Sequence, residues 1–239
     1  MRDQYAGDIS DFFKFSFLRA LASKADIKLG IGWYFVDVHD GRADGKHQEY
    51  LSNEQFACLD PELFKILATL PDRSVAALQN INIWPAQTIF HSSPLPPSQD
   101  RRDRDAWSWD MATTLSTCDL VFVDPDNSVS FGDSVSERHA SINEIETLAA
   151  HGRPVVFIKF PGRQKYVDQI SDIERQFTRF KPITLTTSTS VPTAHGGKVP
   201  RARWFVVLNS TKEIRQRTRE FSEQLHAIPD ITSSLHEAK

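Results

Sequence analysis

Residues 119–130 read D-L-V-F-V-D-P-D-N-S-V-S, and Asp124, Pro125, Asp126 and Asn127 are the part that could do chemistry. Two carboxylates and an amide beside a proline can accept hydrogen bonds from an amine or help to ligate a cation. The four apolar residues before them are rich in β-favouring types, as in a strand covered on both faces. Proline cannot donate to a sheet ladder, and Asp, Asn and Ser favour turns, so the strand stops at Asp124. The polar groups are thereby set at the carboxyl end of a buried strand, the rim where open α/β sheets bind ligands.

A second junction of this kind lies earlier. Residues 29–36, L-G-I-G-W-Y-F-V, read as a buried strand running into Asp37, His39, Asp40, Gly41, Asp44 and Gly45. Gly41 and Gly45 permit tight turns, and Asp37 could hydrogen-bond a ribose or an amine at the strand end. The pattern is not G-x-G-x-x-G, so a plain turn rich in Asp and Gly competes with nucleotide binding here.

The elements that must position these loops follow from periodicity. Helices are expected over 8–24, 61–70, 106–117, 142–150, 166–180 and 211–226, with strands at 29–36, 75–78, 88–90, 120–123, 154–160, 183–188 and 204–208. Asp8 with Asp11 resembles a capping box, and Asp60-Pro61-Glu62 is a strong helix start. Lys14 and Arg19 fall on the first helix, where solvated or snorkelling positions suit them. Residues 94–104 read as an exposed loop, whose Arg101, Arg102 and Arg104 could contact phosphates but are interleaved with aspartates that would pair them. Residues 189–201 read as a loop, of which 193–201 suits a substrate lid or a plain connector. The tail beyond Pro229 is expected to fray.

Composition sets the outer bounds. With 239 residues, one α/β domain over 1–239 is expected, its N-terminal helical segment 1–24 lying at the site. The net charge of -3 excludes a chain-wide basic surface while leaving room for a local patch. No apolar run approaches the roughly 20 residues that span a bilayer, and the first residues lack a signal-peptide core, so no membrane partner and a cytoplasmic location are expected. Cys58 and Cys118 sit in no metal-type spacing and read as buried or half-buried free thiols. His91, His139, His151 and His195 show no ligand spacing and read as surface or loop residues. An alternating βα chain that finishes with an antiparallel pair implies an open, mostly parallel sheet with helices on both faces. A Rossmann-like class I methyltransferase fold has this form.

Three landmarks in order carry a more specific resemblance. Residues 5–15 read Y-A-G-D-I-S-D-F-F-K-F, residues 37–43 read D-V-H-D-G-R-A, and residues 124–127 read D-P-D-N. The chain resembles the large-subunit ribosomal RNA adenine-N6 methyltransferase J family, whose corresponding segments are approximately H-A-G-N-x-A-D-V-L-K-H, D-T-H-A-G-x-G and D-P-P-Y. The resemblance implies S-adenosylmethionine as cofactor and an amine of a nucleic-acid base as target, with RNA favoured over DNA. It places Gly7, Asp11, Asp37, His39 and Gly41 at the cofactor, and Asp124, Pro125, Asp126, Asn127 and Lys14 at the reacting centre. In such enzymes the acidic or amide residue and the proline carbonyl accept hydrogen bonds from the exocyclic amine of a flipped base. Asn127 stands where the stacking aromatic belongs and Asp126 replaces the second proline, so a ring would have to come from Tyr5, Phe131 or elsewhere.

Two readings of other classes stand beside this one. If Asp37, Asp124 and Asp126 converge, they could ligate Mg²⁺ for phosphoester hydrolysis, with Lys159 stabilising the developing charge. Alternatively the chain is a non-catalytic nucleotide-binding module derived from a methyltransferase, which the missing aromatic favours.

Overall fold

The computed structural model describes residues 1–23, 27–36, 47–96, 101–132, 136, 138–192 and 198–238, with backbone alone at 191–192 and 198–200. Asp37, His39, Gly41 and His195, and with them the 37–46 junction and part of the 193–201 segment, lie outside the described residues.

The elements in order are α1 (Ile9–Leu21), β1 (Leu29–Trp33), α2 (Pro61–Ala68), α3 (Val75–Asn80), β2 (Ile89–His91), α4 (Arg101–Thr114) and β3 (Leu120–Asp124). Then come β4 (Val129–Ser130), β5 (Ala140–Ser141), α5 (Ile142–Leu148), β6 (Val155–Lys159), α6 (Tyr166–Gln176), β7 (Ile183–Pro192), β8 (Lys198–Leu208), α7 (Lys212–His226) and β9 (Ile231–Glu237). Among the described residues, seven strands form one sheet in the order β2-β1-β3-β6-β8-β7-β9, and β4 pairs with β5 alone. Strands β2, β1, β3 and β6 pair in parallel, while β8 runs against both β6 and β7, and β9 runs against β7. The sheet is therefore mostly parallel, with β8 and β9 reversed.

Side chains alternate across each strand, and the core follows that alternation. Leu120 and Phe122 of β3 face a cluster with α1, α2 and α7, while Val121 and Val123 face Met111, Leu115, Ile145 and Ile173. Helices thus cover both faces, as the βα alternation requires. Glycine in β1 serves this packing: a Cβ on Gly30 would meet Cys118 Sγ at 2.9 Å and Leu115 Cδ2 at 3.2 Å.

Several expectations need correction. Residues 75–78 are helical, not a strand, because Ser74 Oγ accepts from Ala77 N at 3.0 Å and Asp3 Oδ1 accepts from Val75 N at 2.8 Å, satisfying first-turn donors. The 94–104 loop gives way to α4 from Arg101 onward. Arg104 is not paired to its neighbouring aspartates: its Nε lies 2.6 Å from Glu144 Oε1 and its Nη2 3.0 Å from Oε2, a bidentate clamp on α5. The 189–201 loop is shorter than expected, since β7 and β8 extend as one hairpin through Pro192 and Lys198. The antiparallel pair is not terminal, because β9 follows it in the chain and takes the sheet edge beside β7. The segment after Pro229 does not fray: β9 covers β7 from Ile183↔Glu237 to Thr189↔Ile231. Cys58 is exposed and Cys118 buried. His91 is buried in β2, its Nε2 3.0 Å from Asp110 Oδ2. Among the described residues no helix is long and apolar enough to cross a membrane.

The close approach of the α4 end to β1 yields a stability test. Gly30→Ala should destabilise the protein by roughly 1–3 kcal/mol through overpacking, read as a lower urea midpoint at unchanged slope.

Candidate functional site

Helix α1 is the element that carries charge to the end of β3. Its first turn is capped by Asp8, whose Oδ1 accepts from Ser10 N at 2.7 Å and Asp11 N at 3.0 Å. Asp11 completes the start differently from a standard capping box, its Oδ2 accepting from Gly7 N at 2.7 Å. Three residues on, Lys14 projects from the same face. Its Nζ lies 2.6 Å from Asp11 Oδ1 and 2.7 Å from Asp124 Oδ2. Lys14 is only 4% exposed, so it is neither solvated nor snorkelling. Phe12, Phe13, Phe15 and Phe17 bury α1 nearly all round, with Phe17 4.8 Å from Phe205 of β8 and 5.1 Å from Phe221 of α7.

The turn after β3 is fixed by a second set of charges. Asp126 Oδ1 lies 2.8 Å from the Met1 amine and Oδ2 2.9 Å from Arg2 Nε. The same amine donates to Tyr34 O at 2.7 Å and Asp124 O at 3.1 Å. Asp126, which departs from the D-P-P-Y pattern, thus gives the turn an ionic anchor where a proline would give a stiff backbone. Asn127 N donates to Arg138 O at 2.7 Å, and its side chain is exposed.

These residues open onto a cavity of about 690 Å³ at the carboxyl rim of the parallel strands. Lys14, Asp11, Asp124, Pro125, Asp126 and Asn127 all line it. Gly7 does not: its φ of +75° turns the chain into α1, and its carbonyl accepts from Tyr50 Oη at 3.1 Å and Arg73 Nη1 at 2.9 Å. Phe131 also lies elsewhere, its ring 5.1 Å from Lys159 Nζ. Tyr5 is in the wall, joined by Phe160, Tyr166 and Arg203, which sequence reasoning did not single out. Tyr166 was legible only as the first residue of a helix, and Arg203 was hidden at the edge of an expected loop.

Three buried carboxylates face one ammonium, and the imbalance shows in their protonation. Burial pushes Asp11 up to about 7, with the Asp8 and Asp124 charges adding to the rise and Lys14 opposing it. Burial likewise raises Asp8. Burial works against the Lys14 ammonium, but Asp11, Asp124 and Asp8 outweigh it and hold the proton on Lys14 more tightly than usual. Asp124 Oδ2 is thus pinned by a cation in the wall of the cavity. Among the described residues no group of three or more His, Cys, Asp or Glu side chains could hold a metal ion.

No family model and no curated protein matches the chain. Among solved structures, a Legionella pneumophila protein of the DUF519 family is similar with a TM-score of 0.53, covering 98% of each chain at 13% identity, a likeness of fold. A candidate RNA methyltransferase from Pyrococcus horikoshii matches with a TM-score of 0.37 at 10% identity, over 84% of this chain and 82% of that one.

The cluster yields a pH test. Because Asp11 is raised from 3.8 to about 7, the folded state keeps a proton that the unfolded chain has already lost between those values. This group's contribution to stability is therefore complete below its unfolded pKa and declines as pH rises through about 7. Urea unfolding from pH 4.5 to 8 should show that decline, and Asp11→Asn should flatten it.

Proposed function

We propose that this protein is an S-adenosylmethionine-dependent methyltransferase acting on an amine of a nucleic-acid base, RNA before DNA. The observation that carries the reading is Asp124, at the end of β3, held by Lys14 and facing the cavity. The sheet order agrees with a Rossmann-like class I methyltransferase fold, since β3 lies between β1 and β6 and a reversed strand, β8, inserts next to β6. The cavity of about 690 Å³ is in the range of roughly 300–1,000 Å³ usual for small-molecule sites, which suits a cofactor together with a base.

The bound cofactor would supply an electrophilic methyl group. On the protein side, Asp124 Oδ1 and the Pro125 carbonyl would accept hydrogen bonds from the exocyclic amine and aim its lone pair at the methyl. Lys14 keeps the carboxylate in one orientation, so the amine meets an acceptor that need not reorganise. Tyr5, Phe160 and Tyr166 offer the ring that Asn127 lacks. Asp37, His39 and Gly41 would border the cofactor from the β1 side. Gly7 shapes the start of α1, and Asp11 acts on Lys14; neither is needed to touch the cofactor.

The hydrolase reading is the weaker one, because Asp124 and Asp126 are already neutralised by Lys14 and by the Met1 amine with Arg2. Carboxylates so paired would have to give up these cations to bind Mg²⁺.

Labelled-methyl transfer to bulk RNA, DNA and protein tests the assignment of roles. Asp124→Ala should lower transfer at least 100-fold and leave cofactor affinity within about threefold, whereas Asp37→Ala should weaken the cofactor first. Equal loss of both properties in both folded variants would contradict this division.

A further inference from the structure

The cavity wall farthest from β1 holds a cation that the reacting centre does not use. Strand β6 ends at Lys159, whose register partner in β8 is Trp204. Residues before Trp204 therefore run past the rim of the parallel strands, and Arg201, Ala202 and Arg203 line the cavity there. Alternation along β8 puts Arg201 and Arg203 on the same face.

Arg203 is an unusual arginine. It is 1% exposed, and its guanidinium carbon sits 4.7 Å from the centre of the Phe13 ring. Among the described residues its Nη1 reaches Thr189 Oγ1 only at 3.5 Å, the outer limit of a hydrogen bond, and its Nε meets no acceptor. Burial lowers its pKa to about 10, partly offset by the charge of Asp8, so the group is still a cation at neutral pH. Buried guanidinium groups are normally satisfied by bidentate contact with a carboxylate or phosphate. Arg201 is exposed at the mouth of the same cavity and adds a second cation. Tyr5, Phe160 and Tyr166 line the same cavity.

We infer that Arg203, with Arg201 at the mouth, forms an oxyanion subsite that takes the phosphate of a nucleotide whose base reaches the Asp124 turn. Recognition of the phosphate needs only the residues of this wall; that the base is the methyl acceptor rests on the proposed function. The subsite would select a nucleotide over a free nucleoside, because a nucleoside brings no anion to the buried Arg203 guanidinium. A carboxylate would satisfy the same donors, so the methionine part of the cofactor is the competing source of the anion.

Equilibrium binding without methyl transfer separates these cases. Adenosine 5′-monophosphate, adenosine and S-adenosylhomocysteine are titrated into the wild-type chain, Arg201→Gln and Arg203→Met. The wild type should bind the monophosphate about tenfold or more tightly than adenosine, the gain of one charge-assisted contact. Both variants should lose most of that preference while keeping adenosine and S-adenosylhomocysteine within about twofold. Arg201 is exposed, so its variant tests the subsite even if Arg203→Met fails to fold by circular dichroism. Equal binding of monophosphate and adenosine to the wild type, or an undiminished preference in folded variants, would overturn the inference. Selective loss of S-adenosylhomocysteine would overturn it too, by giving the wall to the cofactor's carboxylate. A monophosphate preference that depends on these arginines, without any S-adenosylhomocysteine binding, would uphold the subsite and remove the methyltransferase reading instead.

Discussion

A buried ammonium needs its counter-charges close and fixed, and Lys14 sets that requirement for the whole site. Its two short contacts, to Asp11 within α1 and to Asp124 at the end of β3, tie the first helix to the central strand. Removing one side of a buried pair typically costs about 3–5 kcal/mol, because the charge left behind stays desolvated. Helix α1 therefore has one acceptable position, with its amino end over the rim of the sheet and its phenylalanines against β8, α7 and α2. Asp8 and Gly7 follow from the same demand: they start the helix where Asp11 and Lys14 can reach inward.

The turn that follows β3 is held by a different device. Asp126 binds two cations from the first two residues, while the backbone of Asn127 bonds to Arg138, next to β5. Ser128 adopts a φ of +105°, a conformation rarely taken outside glycine, and leads straight into the pairing of β4 with β5. The acidic turn is thus rigid before any ligand arrives. A rigid acceptor with a permanent cation behind it is suited to positioning a weak nucleophile and ill suited to collecting a metal ion.

Much of this was legible in the residues. The β3 run and its acidic end, the Asp60-Pro61 start of α2 and the helices on both faces follow from local pattern. What was missed came from contacts across the chain. An amphipathic stripe suggested that Lys14 faced water, although four phenylalanines at 12, 13, 15 and 17 already spread apolar surface around the helix. Charge alternation at 100–104 suggested a loop, but Glu144, forty residues on, stabilises Arg104 in α4. Residues 189–192 and 198–201 look like loop, and the polar run at 232–236 like tail, because local composition does not show the strands they pair with. With β8 shortened by that reading, Arg203 had no visible place at the site, and the ring-bearing Tyr166 looked like any helix residue.

The proposed function asks one cavity, with Asp124 in its wall, to take both a cofactor and a substrate. Whether the cofactor is S-adenosylmethionine is decided most directly by titration calorimetry with S-adenosylhomocysteine in chelator-treated, metal-free buffer, with Mg²⁺ and Mn²⁺ titrated separately. Saturable binding of one S-adenosylhomocysteine per chain without metal is the expected result. No binding of that cofactor form, with saturable binding of a divalent ion instead, would contradict a methyltransferase site.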